Sequence, residues 1–336
     1  MACRSGDIVG KKYDVFGIGT ALVDYFARST DDFLAKNGLI KGATNFLPRE
    51  KLDELHSRIS NSIFTYLPGD NARNVCEGIS FLGGRAAYAS SIGEDADGKI
   101  FEESLRAQQI DSFLEKRPGR TGKILAFLTR DRQRTFVVDL GNSRDYDRVP
   151  AEEIKNSKFL YLTSITLLEK GAMARSAHDA MALADANGVR ISISLESPPM
   201  IRENKTRLLK TISRADVLFA NEEEFEALGA SKEGGMMQEL IDEVEMVCLK
   251  KGEKGSTIFF RDEQFSIPCY SKKVIDTTGA GDFYAAGVLF GIGRGQSAEA
   301  AGVTGAKLAA KIVETFGATL SQQTTSKLKY VQGFKV

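Results

Sequence analysis

The sequence predicts an α/β protein built on a doubly wound, mostly parallel β-sheet that is flanked by helices. Short apolar and β-branched runs alternate with helix-like segments through the middle and end of the chain. Strands separated by helices of about 10–20 residues are typical of parallel βαβ units. The strand candidates are residues 159–163, 189–195, 217–220 and 247–249, and the clearest helix candidate is the Ala-rich segment 172–187.

Two further segments, residues 41–47 and 121–138, are strand-like but have no helix between their apolar runs. They do not fit the alternation of strands and helices. The length of 336 residues suits one large domain or two ordinary ones. The polar segment 321–336 is expected to be a C-terminal tail.

The composition argues against several classes of function. The chain has 45 basic and 45 acidic residues and an isoelectric point near 6.8, so neither nucleic acid nor a membrane surface is an expected partner. The longest weakly polar stretch, residues 283–293, is far shorter than the roughly 20 residues of a membrane-spanning helix. The first twelve residues lack the apolar core of a secretory signal.

Cysteine and histidine usage argues against metal sites, a disulfide framework and catalysis by imidazole. The four cysteines have no metal-site spacing and are too few for a disulfide framework, so we expect reduced thiols in a cytoplasmic protein. The two histidines, His56 and His178, lie in polar helical contexts. Catalysis by imidazole and metal ligation by histidine are therefore not expected.

The most informative segment is the heptad at residues 276–282, Asp-Thr-Thr-Gly-Ala-Gly-Asp, which an apolar run follows. Gly279, Ala280 and Gly281 are small enough for their backbone N–H groups to approach an anion at the start of the helix that the apolar run predicts. Asp282 would lie in the first turn of that helix. An anion site beside a carboxylate suits transfer of a phosphoryl group to a hydroxyl. The alternative is a turn that only caps the helix.

Two candidates for a substrate site lie in the first quarter of the chain. Asp24 ends the run that predicts the first strand, and a carboxylate at the C-terminal end of a parallel strand faces the ligand crevice of an open α/β sheet. It could accept hydrogen bonds from two vicinal hydroxyls, or it could cap a strand–loop junction. In the segment from Gly69 to Asn74, the Asp70 carboxylate could bond a substrate hydroxyl or cap the following helix.

A second group of residues suits a nucleotide and its metal. Asn221 and Glu224 offer oxygen ligands at helix spacing, suited to Mg²⁺ held through water or to positioning phosphate oxygens, although they could also be a solvated helix start. Lys250 could reach a phosphate group.

Small residues further along the chain suit the rest of a nucleotide. Gly252 and Gly255 would allow a nucleotide to approach the backbone closely. The small residues of segment 301–310, Ala306 among them, could pack against a flat adenine or against another helix.

The heptad resembles the C-terminal signature of the PfkB/ribokinase family of carbohydrate and nucleoside kinases. The resemblance extends from about Tyr13 to Ala318, and its other motifs occur in the family's order. In the first third of the chain they are Gly17 to Asp24 for the first strand and its acidic substrate ligand, Pro68 to Asn74 for the substrate loop, and Ser91 to Gly98 for the Gly-x-Asp-x-x-Gly turn. Later in the chain they are Asn221 to Glu224 for the Asn-x-x-Glu motif and Lys250 to Gly255 for the nucleotide-binding turn. The opening pattern and the segment after Asp282 are most similar to bacterial members described as adenosine kinase-like. Asp70 departs from the family, which usually has a second glycine there.

The resemblance implies a ribokinase-like fold with one kinase domain over residues 13–320. Residues 41–47 and 121–138 would then form antiparallel strands of a small lid over one edge of the sheet. It also implies an ATP-dependent kinase that uses Mg²⁺ and whose partners are small molecules, as a monomer or a homodimer.

The resemblance also implies a role for each candidate residue. Asp282 would accept the proton of the attacking hydroxyl, as a weak base because it lies at a helix N-terminus. Charge stabilisation is implied for Gly279, Ala280 and Gly281, and acceptor binding for Asp24, Gly69, Asp70 and Asn74. Nucleotide binding is implied for Asn221, Glu224, Lys250, Gly252, Gly255, Thr277 and Ala306. Mg²⁺ would bind at Asn221 and Glu224, and K⁺ near Asp276, Thr278, Gly317 and Ala318.

The acceptor implied by the closest resemblance is adenosine, phosphorylated at its 5′-hydroxyl. Lid aromatics such as Phe46 or Phe136 could stack on a base. The alternative acceptor is a sugar such as ribose or fructose, for which Arg134 and Asn142 could supply polar contacts.

Overall fold

The computed structural model describes residues 10–131, 133–229 and 236–320 and contains two β-sheets surrounded by helices. The strands are β1 Tyr13–Ile18, β2 Leu22–Arg28, β3 Thr44–Phe46, β4 Ile63–Gly69, β5 Ala86–Gly93, β6 Asp111–Arg117, β7 Gly122–Leu128, β8 Arg134–Asp139, β9 Ser157–Thr163, β10 Arg190–Ser194, β11 Val217–Asn221, β12 Met246–Lys250, β13 Ser256–Phe260 and β14 Glu263–Ile267. The α-helices are α1 Asp31–Lys36, α2 Arg49–Ile59, α3 Asn71–Phe81, α4 Ala96–Ala107, α5 Ala151–Lys155, α6 Ser164–Leu168, α7 Ala172–Ala186, α8 Pro198–Glu203, α9 Lys205–Ile212, α10 Glu222–Ala227, α11 Met236–Glu243, α12 Ala280–Gly293 and α13 Ala298–Ile312. Short 3₁₀ helices occupy Ser60–Ser62, Gly141–Asp145 and Gly252–Lys254.

The larger sheet has nine strands in the order β14-β13-β12-β11-β10-β9-β1-β5-β6. The strands from β12 to β6 run parallel, and β13 and β14 extend the sheet antiparallel at one edge. The predicted doubly wound, mostly parallel sheet is confirmed. Its four strand candidates correspond to β9, β10, β11 and β12.

Helices cover both faces of this sheet, so its central strands are buried on both sides. Every residue of β1 and β5 is buried. Alternate residues of β9 show the two faces, because side chains of a strand point to opposite sides in turn. Leu160 and Leu162 pack into the core that contains α7, whereas Phe159 and Tyr161 pack into the core that contains α12.

The smaller sheet has five strands in the order β3-β8-β7-β2-β4. The segments expected to form the lid contain β3, β7 and β8, but the sheet also includes β2 and β4, which the sequence analysis did not identify. The expectation of antiparallel strands is confirmed for β7 and β8 and is wrong for β3, which lies parallel to β8. The added strand β2 lies parallel to β7.

The position of Asp24 is a further correction. The first strand ends at Ile18, and the chain then enters the small sheet through β2, so Asp24 lies within a small-sheet strand and not at the end of a strand of the large sheet. The two runs look continuous in sequence because only the short segment 19–21 separates them.

The two faces of the small sheet have different neighbours. On the outer face, Leu125, Phe127 and Val137 pack against helices α1 and α2. On the inner face, Leu22 and Val138 form a separate apolar cluster with their neighbours. The sheet joins the large one at the start of α3, where β4 ends at Gly69, and the tail at 321–336 lies outside the described residues.

Helices α12 and α13 pack very closely, because glycines face each other at their crossing. A Cβ atom on Gly287 would lie 2.5 Å from the Cα atom of Gly305, which is too close for any side chain. Part of the small-residue segment 301–310 therefore serves helix packing. Within the described residues, no helix is both long enough and apolar enough to cross a membrane.

This crossing generates a prediction about stability. Gly287→Ala should lower the free energy of unfolding by about 1–3 kcal/mol, because the added methyl group forces the two helices apart. Gly293→Ala, in the last turn of the same helix, is the control, since its Cβ would lie 3.4 Å from the nearest atom, Lys158 Cδ. Urea unfolding of both variants measures the difference. Equal stabilities would contradict the proposed constraint.

Candidate active site

The heptad forms a tight turn that leads into α12. Gly279 is the N-cap residue and has a φ of 78°, in the left-handed region that favours glycine. A Cβ atom there would also lie 2.5 Å from the Cβ atom of Ala318, so the position has no room for a side chain. Ala280, Gly281 and Asp282 are the first three helical residues. The predicted helix start beside this carboxylate is present.

The backbone amides of the turn differ in their availability. The N–H of Ala280 donates to the carbonyl of Thr277 at 3.2 Å, within the turn itself. The amides of Gly279 and Gly281 have no hydrogen-bond acceptor among the described residues. Two of the three amides expected to face an anion are therefore available to one, at the positive end of the α12 dipole.

Asp282 is a buried carboxylate with a specific hydrogen-bond donor. The Nδ2 atom of Asn74, in the first turn of α3, donates to Asp282 Oδ2 at 2.9 Å. Burial raises the pKa of Asp282 to about 7, although the Asn74 hydrogen bond and the charge of Lys250 oppose the increase. A helix N-terminus alone would make Asp282 a weak base, but burial is the largest cause of its pKa shift and acts in the opposite direction. This carboxylate can accept a proton near neutral pH.

Lys250 supplies a positive charge next to this carboxylate. It ends β12 in register with Asn221 at the end of β11, so both reach the same edge of the sheet. Its Nζ atom would lie 3.0 Å from a Cβ atom on Gly281 and is 4.0 Å from Glu224 Oε2. The ammonium group therefore lies beside Gly281 of the turn.

Asn221 and Glu224 form a capping box at the start of α10. Asn221 Oδ1 accepts from the Glu224 N–H at 2.8 Å, and Glu224 Oε2 accepts from the Asn221 N–H at 2.7 Å. Burial raises the pKa of the Glu224 carboxyl, against the charge of Lys250. Among the described residues no group of three or more His, Cys, Asp or Glu side chains could hold a metal ion. This donor set suits Mg²⁺, which usually keeps several waters and binds through one or two carboxylates plus phosphate oxygens.

Asp24 faces the same region from the inner face of the small sheet. Its Oδ1 atom is buried and has no hydrogen-bond partner among the described residues. Its Oδ2 atom would lie 2.8 Å from a Cβ atom on Gly69, so glycine at that position leaves room for the carboxylate. Burial raises the pKa of Asp24 to about 7, which the charge of Arg134 partly offsets. A buried acceptor without a donor fits a ligand hydroxyl.

Asp70 caps α3. Its Oδ1 atom accepts from the N–H groups of Ala72 and Arg73 at 2.5 and 3.2 Å, and its Oδ2 atom accepts from the hydroxyl of Tyr88. Its φ of 140° explains why glycine is usual there. Of the two alternatives for Asp70, the geometry favours the cap, since both carboxylate oxygens already have donors.

Asp276 anchors the other end of the turn. Its carboxylate pairs with Arg134 at 2.5 Å and accepts from the N–H of Thr278 at 2.9 Å and the N–H of Gly317 at 2.8 Å. Burial opposes ionisation, but the Arg134 guanidinium and these hydrogen bonds outweigh it and lower the pKa of Asp276. Asp276, Thr278 and Gly317, which were expected near K⁺, thus come together, and the cation that pairs with Asp276 is the Arg134 side chain.

The residues expected around the nucleoside part of ATP are more dispersed. Thr277 is exposed at the turn, and Ala306 is buried on α13. A Cβ atom on Gly252 would meet open space, whereas one on Gly255 would collide with the carbonyl oxygen of Ile267. Gly255 is therefore required by the neighbouring strand, independently of any nucleotide.

Sequence reasoning missed Glu196, which follows β10 at the same edge of the sheet. Asn71 Nδ2 donates to Glu196 Oε2 at 2.6 Å. Burial raises the pKa of Glu196 to about 8, with further increases from the charges of Asp282 and Asp70. The available signal was its place directly after a parallel strand, the same criterion that selected Asp24.

Comparison with known proteins agrees with this geometry. Residues 44–325 match the family model described as pfkB family carbohydrate kinase. The chain belongs to this family. Its members are ATP-dependent phosphotransferases that act on hydroxyl groups and typically use Mg²⁺, so the chain is an ATP-dependent phosphotransferase.

The similar proteins include both nucleoside and sugar kinases. The crystal structure of adenosine kinase from Sinorhizobium meliloti is 29% identical, with a TM-score of 0.84 and coverage of 95% of this chain and 99% of that chain. A probable sugar kinase from Rhizobium etli CFN 42 is 25% identical, with a TM-score of 0.86 and coverage of 96% and 99%. The nucleoside kinase of Methanocaldococcus jannaschii is 27% identical over 282 residues, 83% of this chain and 90% of that protein.

For this kinase, Asp282→Asn should lower kcat by about 10²–10⁴-fold, the range for loss of a general base, while ATP affinity changes little. Steady-state kinetics and ATP titration measure the two effects. Glu223→Gln, which changes an exposed carboxylate of α10, is the control and should keep wild-type kcat. If the Asn variant retains more than about a tenth of wild-type turnover with chemistry rate-limiting, Asp282 is not the base.

Proposed function

We propose that this kinase transfers the γ-phosphoryl group of ATP to the 5′-hydroxyl of adenosine. The observation that carries the proposal is a set of three features around the starts of α3 and α12: the buried Asp282, the free amides of Gly279 and Gly281, and the unpartnered oxygen of Asp24 beside Gly69. Asp24, with Asn74 nearby, holds the vicinal hydroxyls of the ribose. Gly69 and the capped Asp70 set the shape of the loop between them.

In this mechanism, Asp282 accepts the proton of the attacking hydroxyl. The proton leaves late, since the transition state of phosphoryl transfer is loose. The amides of the turn and Lys250 stabilise charge on the transferring group. Asn221 and Glu224 would hold Mg²⁺ through water, and the ion would supply neutralisation of phosphate charge. The small sheet acts as a lid that excludes water and suppresses hydrolysis of ATP.

An apolar surface beside Asp24 supports a nucleoside over a free sugar. Across the small sheet, Asp24 is in register with Ile124, which is in register with Val138. These two side chains cluster with Phe136 and Leu140 on the inner face. A ribose held at Asp24 would place its base over this surface, where an aromatic ring can stack. The side chain of Phe46, the other aromatic candidate, lies outside the described residues.

The polar side chains that could have served a sugar are engaged elsewhere. Arg134 pairs with Asp276. Asn142 is buried, and its Nδ2 atom donates to the carbonyls of Arg117 and Pro118 at 3.1 and 3.2 Å. Both side chains therefore already have protein partners.

A sugar acceptor is the second candidate, and the names of relatives favour it. A probable fructokinase-3 from Arabidopsis thaliana is 30% identical over 242 residues, 67% of this chain and 69% of that protein. The probable sugar kinase from Rhizobium etli also shares the fold over nearly the whole chain. Asp24 would then bind two hydroxyls of the sugar in the same way.

The kcat/KM for adenosine should exceed that for ribose by at least about tenfold, because stacking of a base contributes roughly 1–3 kcal/mol. Steady-state assays with adenosine, ribose and fructose measure the ratio. Phe136→Leu should reduce kcat/KM for adenosine and leave that for ribose unchanged. A hexose with a higher kcat/KM than adenosine would assign the protein to the sugar kinases.

We also propose that K⁺ binds through backbone carbonyls near Thr278 and Ala318, where it orders the turn around Gly279. Because Arg134 already neutralises the Asp276 carboxylate, the ion would rely on carbonyl oxygens. Turnover should be faster in K⁺ than in tetramethylammonium at equal ionic strength, with Na⁺ as a third arm. Equal rates in all three salts would reject a role for the ion.

A further inference from the structure

Helix α3 contains a buried ion pair, one turn beyond its cap. Arg73 Nη1 lies 2.8 Å from Glu77 Oε2, and the two side chains are only 2% and 0% exposed. Neither residue has a role that the sequence motifs predict. Replacing a buried ion pair with apolar residues of similar volume is often neutral or stabilising, so stability alone does not explain why two charges are buried here.

Arg73 also contacts the residue that holds the catalytic carboxylate. Its Nη1 atom donates to Asn74 Oδ1 at 3.2 Å, while Asn74 Nδ2 donates to Asp282 at 2.9 Å. A guanidinium group can only donate hydrogen bonds, so the Asn74 oxygen must point toward Arg73. The NH₂ group of Asn74 then points toward Asp282. Without Arg73, the amide could turn its oxygen toward the carboxylate, and the hydrogen bond would be lost.

Glu77 holds the segment that packs on the turn. Its Oε1 atom accepts from Thr319 Oγ1 at 2.8 Å and from the Leu320 N–H at 2.7 Å. The preceding residue, Ala318, is the one whose Cβ atom leaves no room for a side chain at Gly279. Glu77 therefore fixes the backbone directly behind the N-cap of α12.

We propose that Arg73 and Glu77 are positioning residues of the phosphoryl-transfer site. Arg73 orients the Asn74 amide toward Asp282, and Glu77 fixes residues 318–320 against the turn that carries the anion-binding amides. One buried ion pair thus sets both the base and the anion site. The inference rests on the proposed function for its catalytic meaning, but its geometric part can be tested without turnover.

The test compares variants that separate positioning from folding. In Arg73→Met/Glu77→Met, apolar residues replace both charges, so no charge is left buried and unpaired. Ser104→Ala is the matched control, because Ser104 Oγ accepts from Arg73 Nε at 3.4 Å, whereas the Asn74 amide bonds to Arg73 and Asp282. Thermal unfolding establishes that each variant is folded.

The first readout is the pH profile of kcat. The charged and titratable groups that face Asp282 are Lys250, Asp70, Glu224, Glu196 and Tyr161. None of these side chains is replaced in the variants, and Arg73 acts on one of them, since its charge partly offsets the rise that burial causes in the pKa of Asp70. In the double variant, Asp282 loses the donor that favours its ionised form, so the acid limb of the profile should move up by about 1 pH unit. Ser104→Ala should keep the wild-type profile.

The second readout is direct titration of the Asp282 carboxyl by ¹³C NMR in the absence of substrates, with Asp282→Asn as the assignment control. The midpoint should move upward in the double variant. A folded double variant with the wild-type midpoint and kcat within about twofold would overturn the proposal. If the wild-type protein phosphorylated neither nucleosides nor sugars, the proposed function would fail, while the NMR titration would still decide whether Arg73 orients Asn74.

Discussion

The hydrogen bond from Asn74 to Asp282 joins the first turns of two buried helices, α3 and α12, and the other polar groups of the site are arranged around it. Both helices pack into the same core on one face of the large sheet, so neither end can tilt toward solvent without breaking that core. The carboxylate must therefore be held by protein groups alone. The Gly279 turn leads directly into the helix that carries this carboxylate, Lys250 places a positive charge near it, and Ala318 packs behind the turn.

Several carboxyl groups of the site are buried, and each is unfavourable to ionise there. Burial is the largest cause of a raised pKa in Asp24, Asp70, Glu196 and Asp282, to about 7, 6, 8 and 7. Each binds its proton more tightly in the folded than in the unfolded chain, so its contribution to stability is fully present below about pH 4 and is lost as the pH rises to about 8. At neutral pH these groups oppose folding. Such unfavourable burial is typical of functional sites, and the apolar cores of the large sheet must outweigh it.

The sequence predicted the parts of the fold that local pattern determines. The alternation of strands and helices gave the large sheet, and the heptad gave the turn and Asp282. Pairing in the small sheet depends on distant partners, so β2 and β4 were missed, and Asp24 was assigned to the wrong strand. The Asp70 cap could only be an alternative, since its φ and its bond to Tyr88 are tertiary facts.

The burial of charged side chains was the other feature that the sequence could not predict. Arg73 and Glu77 are four residues apart, which is the spacing of an ordinary ion pair on a helix surface. The neighbouring sequence does not show whether such a pair is exposed or completely buried. Only the packing of α12 and the segment at residues 317–320 over α3 makes the difference. Glu196 had a signal in the sequence, its place after a parallel strand, but its burial and its contact with Asn71 depend on tertiary packing.

Contacts between the small sheet and the turn join the strand that carries Asp24 to the residues behind Gly279. Phe26 and Phe316 pack edge to face at 5.3 Å, and Arg134 lies over both rings on its way to Asp276. A Cβ atom on Gly317 would collide with Leu67 of β4. Phe26 belongs to the strand that carries Asp24, so a movement of the small sheet would displace residues 316–318, and with them the support behind Gly279. The strand that carries Asp24 and the turn at Gly279 therefore pack against the same segment, residues 316–318, so the proposed acceptor site and the proposed anion site depend on one set of contacts.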